Sequence, residues 1–372
     1  MPIKVCHITS VHPPYDARIF YKECCSLAKK YEVWLIAPNV EDHIKEGVHL
    51  TGIDIPQGRI KRLFYQRDIL KKALEINAVS YHLHDPELLP IGLKLKKEGK
   101  IVIFDSHEDV PQQLLTKEWL PKPLAKIVSR LYAWYEKKSM VHYDALISVT
   151  PVIVDRLRTI NKNTYQVTNF PILTDIPDNR TWGDSACFTG GVGVRYMHEN
   201  IIDALSKTNI TYRLAGPCNP ISYMETLKTL PNWERVQYDG VIPHSECPAY
   251  IQKSSVGLAL LDYLPNVGYK KGSLGVLKIF EYMQAGIPVV ATDFELWKEI
   301  IEGNDCGLCV NPHDTDAIAT AINYFIDNKD IARQKGDNGK KAVEKFYSWA
   351  SQEKVLYDMY SSIVEKSSNK TP

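Results

Sequence analysis

Lys278 and Glu281 stand three residues apart in the stretch Gly272-Ser273-Leu274-Gly275-Val276-Leu277-Lys278-Ile279-Phe280-Glu281. On a helix, that spacing makes them neighbours on one side. The glycine-containing loop before them delivers a helix start whose backbone N–H groups lack intrahelical partners and suit a phosphate. A carboxylate one to two turns further in can accept both hydroxyls of a ribose. The plainer reading is a surface Lys–Glu pair, because glycine-containing helix starts are common. Other reactive residue types gather where apolar runs end. His12-Pro-Pro-Tyr-Asp16-Ala-Arg18 is a stiff loop, in which Asp16 or Arg18 either faces a cleft, or Asp16 caps the next helix and Arg18 is solvated. In His82-Leu-His84-Asp85-Pro86-Glu87, the two histidines are expected on opposite sides of a strand, which speaks against joint metal ligation. Asp85 reads as a helix N-cap, and His84 or Glu87 as a cleft contact. Asp105-Ser-His107-Glu108-Asp109 places a histidine directly at a strand end.

The elements that position these residues follow from periodicity. A helix is expected from near Leu274, with Val276, Ile279, Phe280 and Met283 as its apolar face. Gly286 stops it and Pro288 prevents its resumption. Pro288–Thr292 reads as a buried strand. Strands are also expected at 4–10, 31–38, 48–55, 78–83, 100–105, 145–150 and 165–168, with a helix over 19–29 and further helices between the later strands. Such alternation predicts parallel sheets covered on both faces, with ligands beyond the C-terminal strand ends. The alternation breaks near Asn169-Phe-Pro171, and residues 172–184, rich in Pro, Asp and Asn, read as a linker. A second series starts at Ala186. There Gly190-Gly191-Val192-Gly193 lets backbone approach a ligand closely and leads to Arg195.

Lys278-Ile-Phe-Glu-Tyr-Met-Gln-Ala-Gly-Ile-Pro-Val-Val290 resembles the donor-binding segment of glycosyltransferase family 4, retaining enzymes of the GT-B fold. More loosely, the similarity extends over most of the chain. It implies an α/β chain of GT-B type: two Rossmann-like, doubly wound parallel-sheet domains facing across a cleft. Residues 1–172 would bind the acceptor and 173–347 the nucleotide-sugar, while 348–372 would form a last helix crossing back to the first domain. The resemblance assigns the donor ribose to Glu281 and the donor diphosphate to Arg195; the helix-start reading adds Lys278 and backbone groups of Leu274, Gly275 and Val276, and the glycine loop adds Gly191. The resemblance also assigns the donor base to backbone groups of Val241 and Ile242, and places His107 beside the transferred sugar and its leaving phosphate. Asp16, Arg18, His84 and Glu108 complete the substrate-side set. Where many members carry a second glutamate on the transferred sugar, this chain has Ser273. The ribose contact therefore stands, and Ser273 is the substrate-binding candidate at the position of the usual sugar contact. No Asp-x-Asp motif stands in a matching position, so no metal and no other cofactor is expected.

Charge supports small-molecule work. Lys and Arg total 45 against 44 Asp and Glu, so no global field draws the chain to nucleic acid. Eight scattered cysteines and the lack of a signal peptide at the start of this sequence lead to the expectation of reduced thiols and a cytoplasmic setting. Cys306-Gly-Leu-Cys309 has redox or zinc spacing but no second Cys/His pair nearby. The segment Lys117–Lys138, aromatic and basic, reads either as a surface for an anionic bilayer at the inner face of the membrane or as a core-packing helix with a solvated basic side. Arg59–Arg67 adds positive charge. The expected reaction is glycosyl transfer to a hydroxyl of a glycan or lipid-linked acceptor, in polysaccharide or glycolipid assembly. Two rivals are a sugar-nucleotide epimerase using Asp105, Glu108 and Asp109 as acid/base groups, and a silent nucleotide-binding subunit, suggested by Ser273.

Overall fold

A computed structural model describes residues 2–54, 59–117 and 120–365. Ile55, Glu118, Trp119 and the side chains of residues 59–64 lie outside the described residues, and with them most of the expected basic stretch 59–67. The chain divides into two compact units, Met1–Asn169 with Trp349–Pro372, and Phe170–Ser348.

In unit 1 the strands are β1 (Lys4–Ile8), β2 (Glu32–Pro38), β3 (His43–Lys45), β4 (Val48–Ile53), β5 (Ser80–Leu83), β6 (Ile101–Ser106), β7 (Ala145–Ser148) and β8 (Thr164–Gln166). They form one sheet in the order β3-β4-β2-β1-β5-β6-β7-β8. Neighbours are parallel except β3 and β4, a short hairpin that the sequence pattern did not announce. The buried strands are continuous rather than alternating: Val5, Cys6, His7 and Ile8 are all fully buried, as expected of a sheet covered on both faces. One face packs Ile69, Leu89, Leu95 and Leu157. The other packs Phe20, Leu27 and the final helix Trp349–Tyr360 through Trp349, Leu356 and Met359. Trp349 also donates from Nε1 to Ser26 Oγ at 2.9 Å.

Unit 2 contains β9 (Ser185–Thr189), β10 (Thr211–Ala215), β11 (Val236–Tyr238), β12 (Val256–Ala259), β13 (Val289–Thr292) and β14 (Gly307–Val310). These form a parallel sheet, β11-β10-β9-β12-β13-β14. In each sheet the strand order reverses once around the first strand, at β1/β5 and at β9/β12. Those reversals leave crevices at the carboxyl ends of the strands, where open α/β sheets bind ligands. All eight cysteines are free thiols. Cys306 is buried in an apolar cluster, and burial pushes its thiol up to about 12. An inert core thiol fits that environment better than a redox group.

The helix Lys122–Met140 packs on the core through Met140 and Tyr135, but its outer side is not only basic. It turns Ala125, Ser129, Glu136 and Ser139 inward, with Glu136 paired to Arg156. Leu124, Ile127, Leu131 and Trp134 face outward at 46, 55, 61 and 62% exposure. The exposed side is therefore both apolar and basic. Among the described residues no helix is long and apolar enough to cross a membrane.

Candidate functional site

The organising helix of unit 2 runs Lys278–Ala285, one turn later than its apolar spacing predicts. Side-chain and backbone contacts hold the preceding residues as a loop. Ser273 Oγ accepts from the Gly275 N–H at 3.1 Å, and Trp297 Nε1 donates to the Ser273 carbonyl at 2.8 Å. Leu274 is buried from this loop, while Gly275 is exposed and Val276 half-buried. Intrahelical hydrogen bonds begin with the N–H groups of Phe280 and Glu281, both to the Leu277 carbonyl. Earlier N–H groups therefore form the helix tip. Gly286 closes the other end in the left-handed region, at φ 77°.

Tyr282 ties this helix to the sheet, accepting from the Thr189 N–H at 3.2 Å and donating to the Leu258 carbonyl at 3.3 Å. The tie brings Lys278 against the loop that follows β9. Lys278 is only 7% exposed. Its ammonium sits over the rings of Phe188 and Tyr196, 4.5 and 4.1 Å from their centroids. Exposed Arg195 stacks on the same Tyr196 ring at 4.8 Å and donates to its hydroxyl at 3.0 Å. Burial and, to a lesser degree, Arg195 push the Lys278 ammonium below the ordinary lysine range, against the pull of Tyr196 and Glu281. Glu281, half-buried, is on the first turn beside Lys278. Two cations thus converge near one helix tip, a repulsive arrangement that an anion would relieve.

The glycines here serve close approach. Gly216 has φ 139°, and a Cβ there would lie 1.9 Å from the Gly190 carbonyl oxygen. The Gly216 N–H donates to the Gly240 carbonyl at 2.7 Å, which brings the turn carrying Val241 and Ile242 to the same strand ends. Val241 is exposed, whereas Ile242 is partly buried against an apolar cluster. Gly191 is exposed in the loop after β9.

In unit 1, Arg18, His84, Asp85 and Asp105 among the predicted polar residues form a buried charge cluster at the ends of β1, β5 and β6. Asp16 is the expected cap, its Oδ1 accepting from the N–H groups of Arg18 at 2.8 Å and Ile19 at 2.9 Å. Arg18 is neither solvated nor in an open cleft. It is buried, with Nε 2.8 Å from Asp105 Oδ2, Nη2 3.1 Å from Glu23 Oε1, and Nη1 donating to the Val167 carbonyl at 2.8 Å. The reason is the short helix Ile19–Cys24, which turns Arg18 and Glu23 inward with Phe20. Burial alone would raise the Asp105 carboxyl, but Arg18 and then His107 outweigh it and hold it well below the usual range. His107, about one-fifth exposed, has Nε2 3.2 Å from Asp105 Oδ2. Its ring lies 4.9 Å from that of His12.

His84 is buried, with Nδ1 3.3 Å from His107 Nε2 and 3.6 Å from Asp105 Oδ2. Burial pushes its imidazole down to about 4, against the pull of Asp105. His82 and His84 share one face of β5, contrary to expectation. Their rings stack at 4.6 Å. Strand periodicity is two, so residues two apart point the same way and Leu83 points oppositely. Asp85 makes no side-chain cap. Instead its carboxylate accepts from Ser10 N at 2.6 Å and Thr9 Oγ1 at 2.8 Å, and pairs with His12 at 2.9 Å. Glu87 is exposed. Glu108 is exposed and accepts from Gln113 Nε2, and Asp109 caps the helix Val110–Leu115 while pairing with Arg156. Of the carboxylates on which an epimerase would draw, Asp105 and Asp109 are thus engaged in ion pairs and capping, and Glu108 accepts from Gln113. Sequence reasoning missed Tyr196, Glu23 and His7. Only Glu23 left a signal, a charge inside the apolar stripe Phe20, Cys24, Leu27.

Comparisons with known proteins bear on this geometry. Residues 187–328 match the family model described as glycosyl transferases group 1. Sucrose-phosphate synthase from Thermosynechococcus elongatus is similar in structure, with a TM-score of 0.78 at 16% identity over 98% of this chain and 100% of that one. A glycosyltransferase from Rickettsia africae gives 0.71 at 13% identity over 98% and 99%. HepE from Anabaena, solved with UDP, gives 0.69 at 12% identity over 97% and 100%. No curated protein sequence matches the chain. The two parallel-sheet units are of the GT-B type, and the group 1 domain at 187–328 together with these neighbours supports a glycosyltransferase.

Proposed function

We propose that the chain transfers a glycosyl group from a UDP- or GDP-sugar to a hydroxyl of a glycan or lipid-linked acceptor, with retention at the anomeric carbon. The observation that carries this reading is the convergence of buried Lys278 and Arg195 on Tyr196 beside the tip of the helix Lys278–Ala285. In this reading Glu281 accepts both ribose hydroxyls. Lys278, Arg195 and N–H groups of Ser273 to Val276 and of Gly191 stabilise charge developing on the leaving diphosphate. Preorganised donors aimed at such charge carry a large share of catalysis, and here they do so without a metal on the donor. Backbone groups of Val241 and Ile242 read the base, and His107 orients the transferred sugar. His84 and Glu108 serve the acceptor side. UDP in the HepE structure is consistent with a uridine donor.

Incubation with UDP-, GDP-, ADP- and dTDP-sugars tests the reading. Slow donor hydrolysis with release of the nucleoside diphosphate is the expected result. Epimer formation, or binding without turnover, would replace it with one of the rival readings.

The acceptor assignment draws on the helix Lys122–Met140. Its exposed apolar residues are flanked by exposed Lys122, Lys126, Arg130, Lys137 and Lys138, and Lys138 lies 5.1 Å from the Trp134 ring. Such a face suits an anionic cytoplasmic leaflet, where a lipid-linked acceptor would reside. Replacing Leu131 and Trp134 together by serine is expected to weaken co-sedimentation with phosphatidylglycerol vesicles by at least about tenfold, given the apolar area removed. Unchanged sedimentation would remove the membrane from the proposal.

A further inference from the structure

One group of buried side chains, of which only His84 enters the proposed transfer, meets at a single point. His7 on β1, Glu23 on the helix Ile19–Cys24, His82 on β5 and His84 directly after it are all fully or almost fully buried at the β1/β5 reversal. Each presents one ligand-type atom to a common point, and the four atoms lie within 4.8 Å of one another. Glu23 Oε2 is 4.0 Å from His7 Nδ1, 3.9 Å from His82 Nε2 and 4.0 Å from His84 Nε2. His7 Nδ1 is 2.9 Å from His84 Nε2. We propose that these four atoms bind a divalent cation of the zinc type, as a structural site in unit 1.

Three independent features point to a cation there. The first is satisfaction. Among the described residues His82 Nε2 has no hydrogen-bond partner, and the Glu23 oxygens have none of good geometry beyond the neighbouring Asp105 carboxylate. Arg18 Nη2 approaches Glu23 Oε1 at 3.1 Å but off the hydrogen-bond direction. Buried polar atoms of this kind are costly unless something compensates them. Here the orphaned atoms of two different elements are aimed at one spot.

The second is the outer shell. Metal-bound histidines usually donate their other ring N–H to an oxygen acceptor, which sets tautomer and orientation. His82 Nδ1 is 3.0 Å and His7 Nε2 3.3 Å from the Tyr360 hydroxyl. A phenol oxygen has lone pairs for both. His84 Nδ1 faces Asp105 and His107. With nitrogens Nδ1 of His7 and Nε2 of His82 and His84 turned to the common point, each remaining nitrogen thus meets an outer partner.

The third is geometry and chemistry. Three imidazoles and one carboxylate make a closed N3O set, the kind that holds zinc tetrahedrally. Bonds of about 2.0–2.2 Å require ligand atoms roughly 3.3 Å apart, between the 2.9 Å and 4.0 Å separations seen here. Small side-chain movements complete the site. Glu23 Oε2 would face the metal while Oε1 stays beside Arg18. The sequence argument against joint ligation by His82 and His84 falls with the finding that they share a face.

The test uses the full chain, purified without a polyhistidine tag and dialysed against metal-free buffer. About one zinc per chain by mass spectrometry of the dissolved protein is expected. Chelation should lower the unfolding temperature and added zinc should restore it. Cobalt loaded into the chelated protein should show the intense visible bands of tetrahedral coordination. His82→Ala should lose the metal while the nucleotide-induced thermal shift of unit 2 persists. That persistence separates this proposal from the donor assignment. If the variant does not fold, the wild-type measurements decide alone. Wild-type protein with background metal only, and no thermal response to zinc or cobalt after chelation, would overturn the proposal.

Discussion

Glu281→Ala is expected to abolish the thermal shift that a nucleoside diphosphate produces. A ribose presents two vicinal hydroxyls, and one carboxylate accepts from both. Hydrogen bonds to a charged group contribute about 1.5–3 kcal/mol each, so losing two weakens binding by roughly a hundredfold or more. Ligand stabilisation scales with the logarithm of concentration over Kd. A nucleotide concentration that stabilises the wild type would therefore leave the variant near its unliganded unfolding temperature. The variant itself should fold, because Glu281 is half-buried on the first turn of a helix whose packing rests on Ile279, Phe280, Tyr282 and Met283. Differential scanning fluorimetry with UDP and GDP checks the prediction. An unchanged shift would show that the ribose lies elsewhere. Glu281→Gln adds a control: it keeps an acceptor oxygen and should retain part of the shift.

Arg18→Leu is expected to cost about 3–5 kcal/mol of stability, the range for removing one partner of a buried ion pair. Arg18 is the cation beside Asp105 and Glu23, and its Nη1 also satisfies the Val167 carbonyl. Its loss leaves the buried Asp105 carboxylate with only the imidazoles of His107 and His84 beside it. Urea unfolding monitored by tryptophan fluorescence measures the change. Arg18→Leu combined with Asp105→Leu should recover part of the loss, because the two side chains are coupled. A variant of wild-type stability with a raised KM would instead return Arg18 to the role of a substrate contact.

Both predictions rest on elements of unequal legibility. The apolar runs of β1, β2, β6, β7 and β13, the Gly286 stop and the stretch Lys278–Val290 were readable from sequence, because burial on both sheet faces and helical periodicity are local patterns. Asp16 as a cap was readable for the same reason, since its partners lie two and three residues away. The helix start at Lys278 was not. Trp297, far along the chain, holds Ser273 in a loop that local spacing would have made helical. The hairpin of β3 and β4 carried no alternation strong enough to show. The outward apolar face of the helix Lys122–Met140 was also hidden, because amphipathicity does not say which side meets the core.

Sequence alone therefore determined the α/β class, the strand–helix alternation and the segment that carries Lys278 and Glu281, since each is written in neighbouring residues. Tertiary structure alone decided that Lys278 and Arg195 share Tyr196, and that Arg18 is buried against Asp105. It also decided that His7, Glu23, His82 and His84 converge on one point. The physical reason is that parallel strands adjacent in space are distant in the chain. Which strand ends meet is set by the order of the sheet, and no local pattern encodes that order.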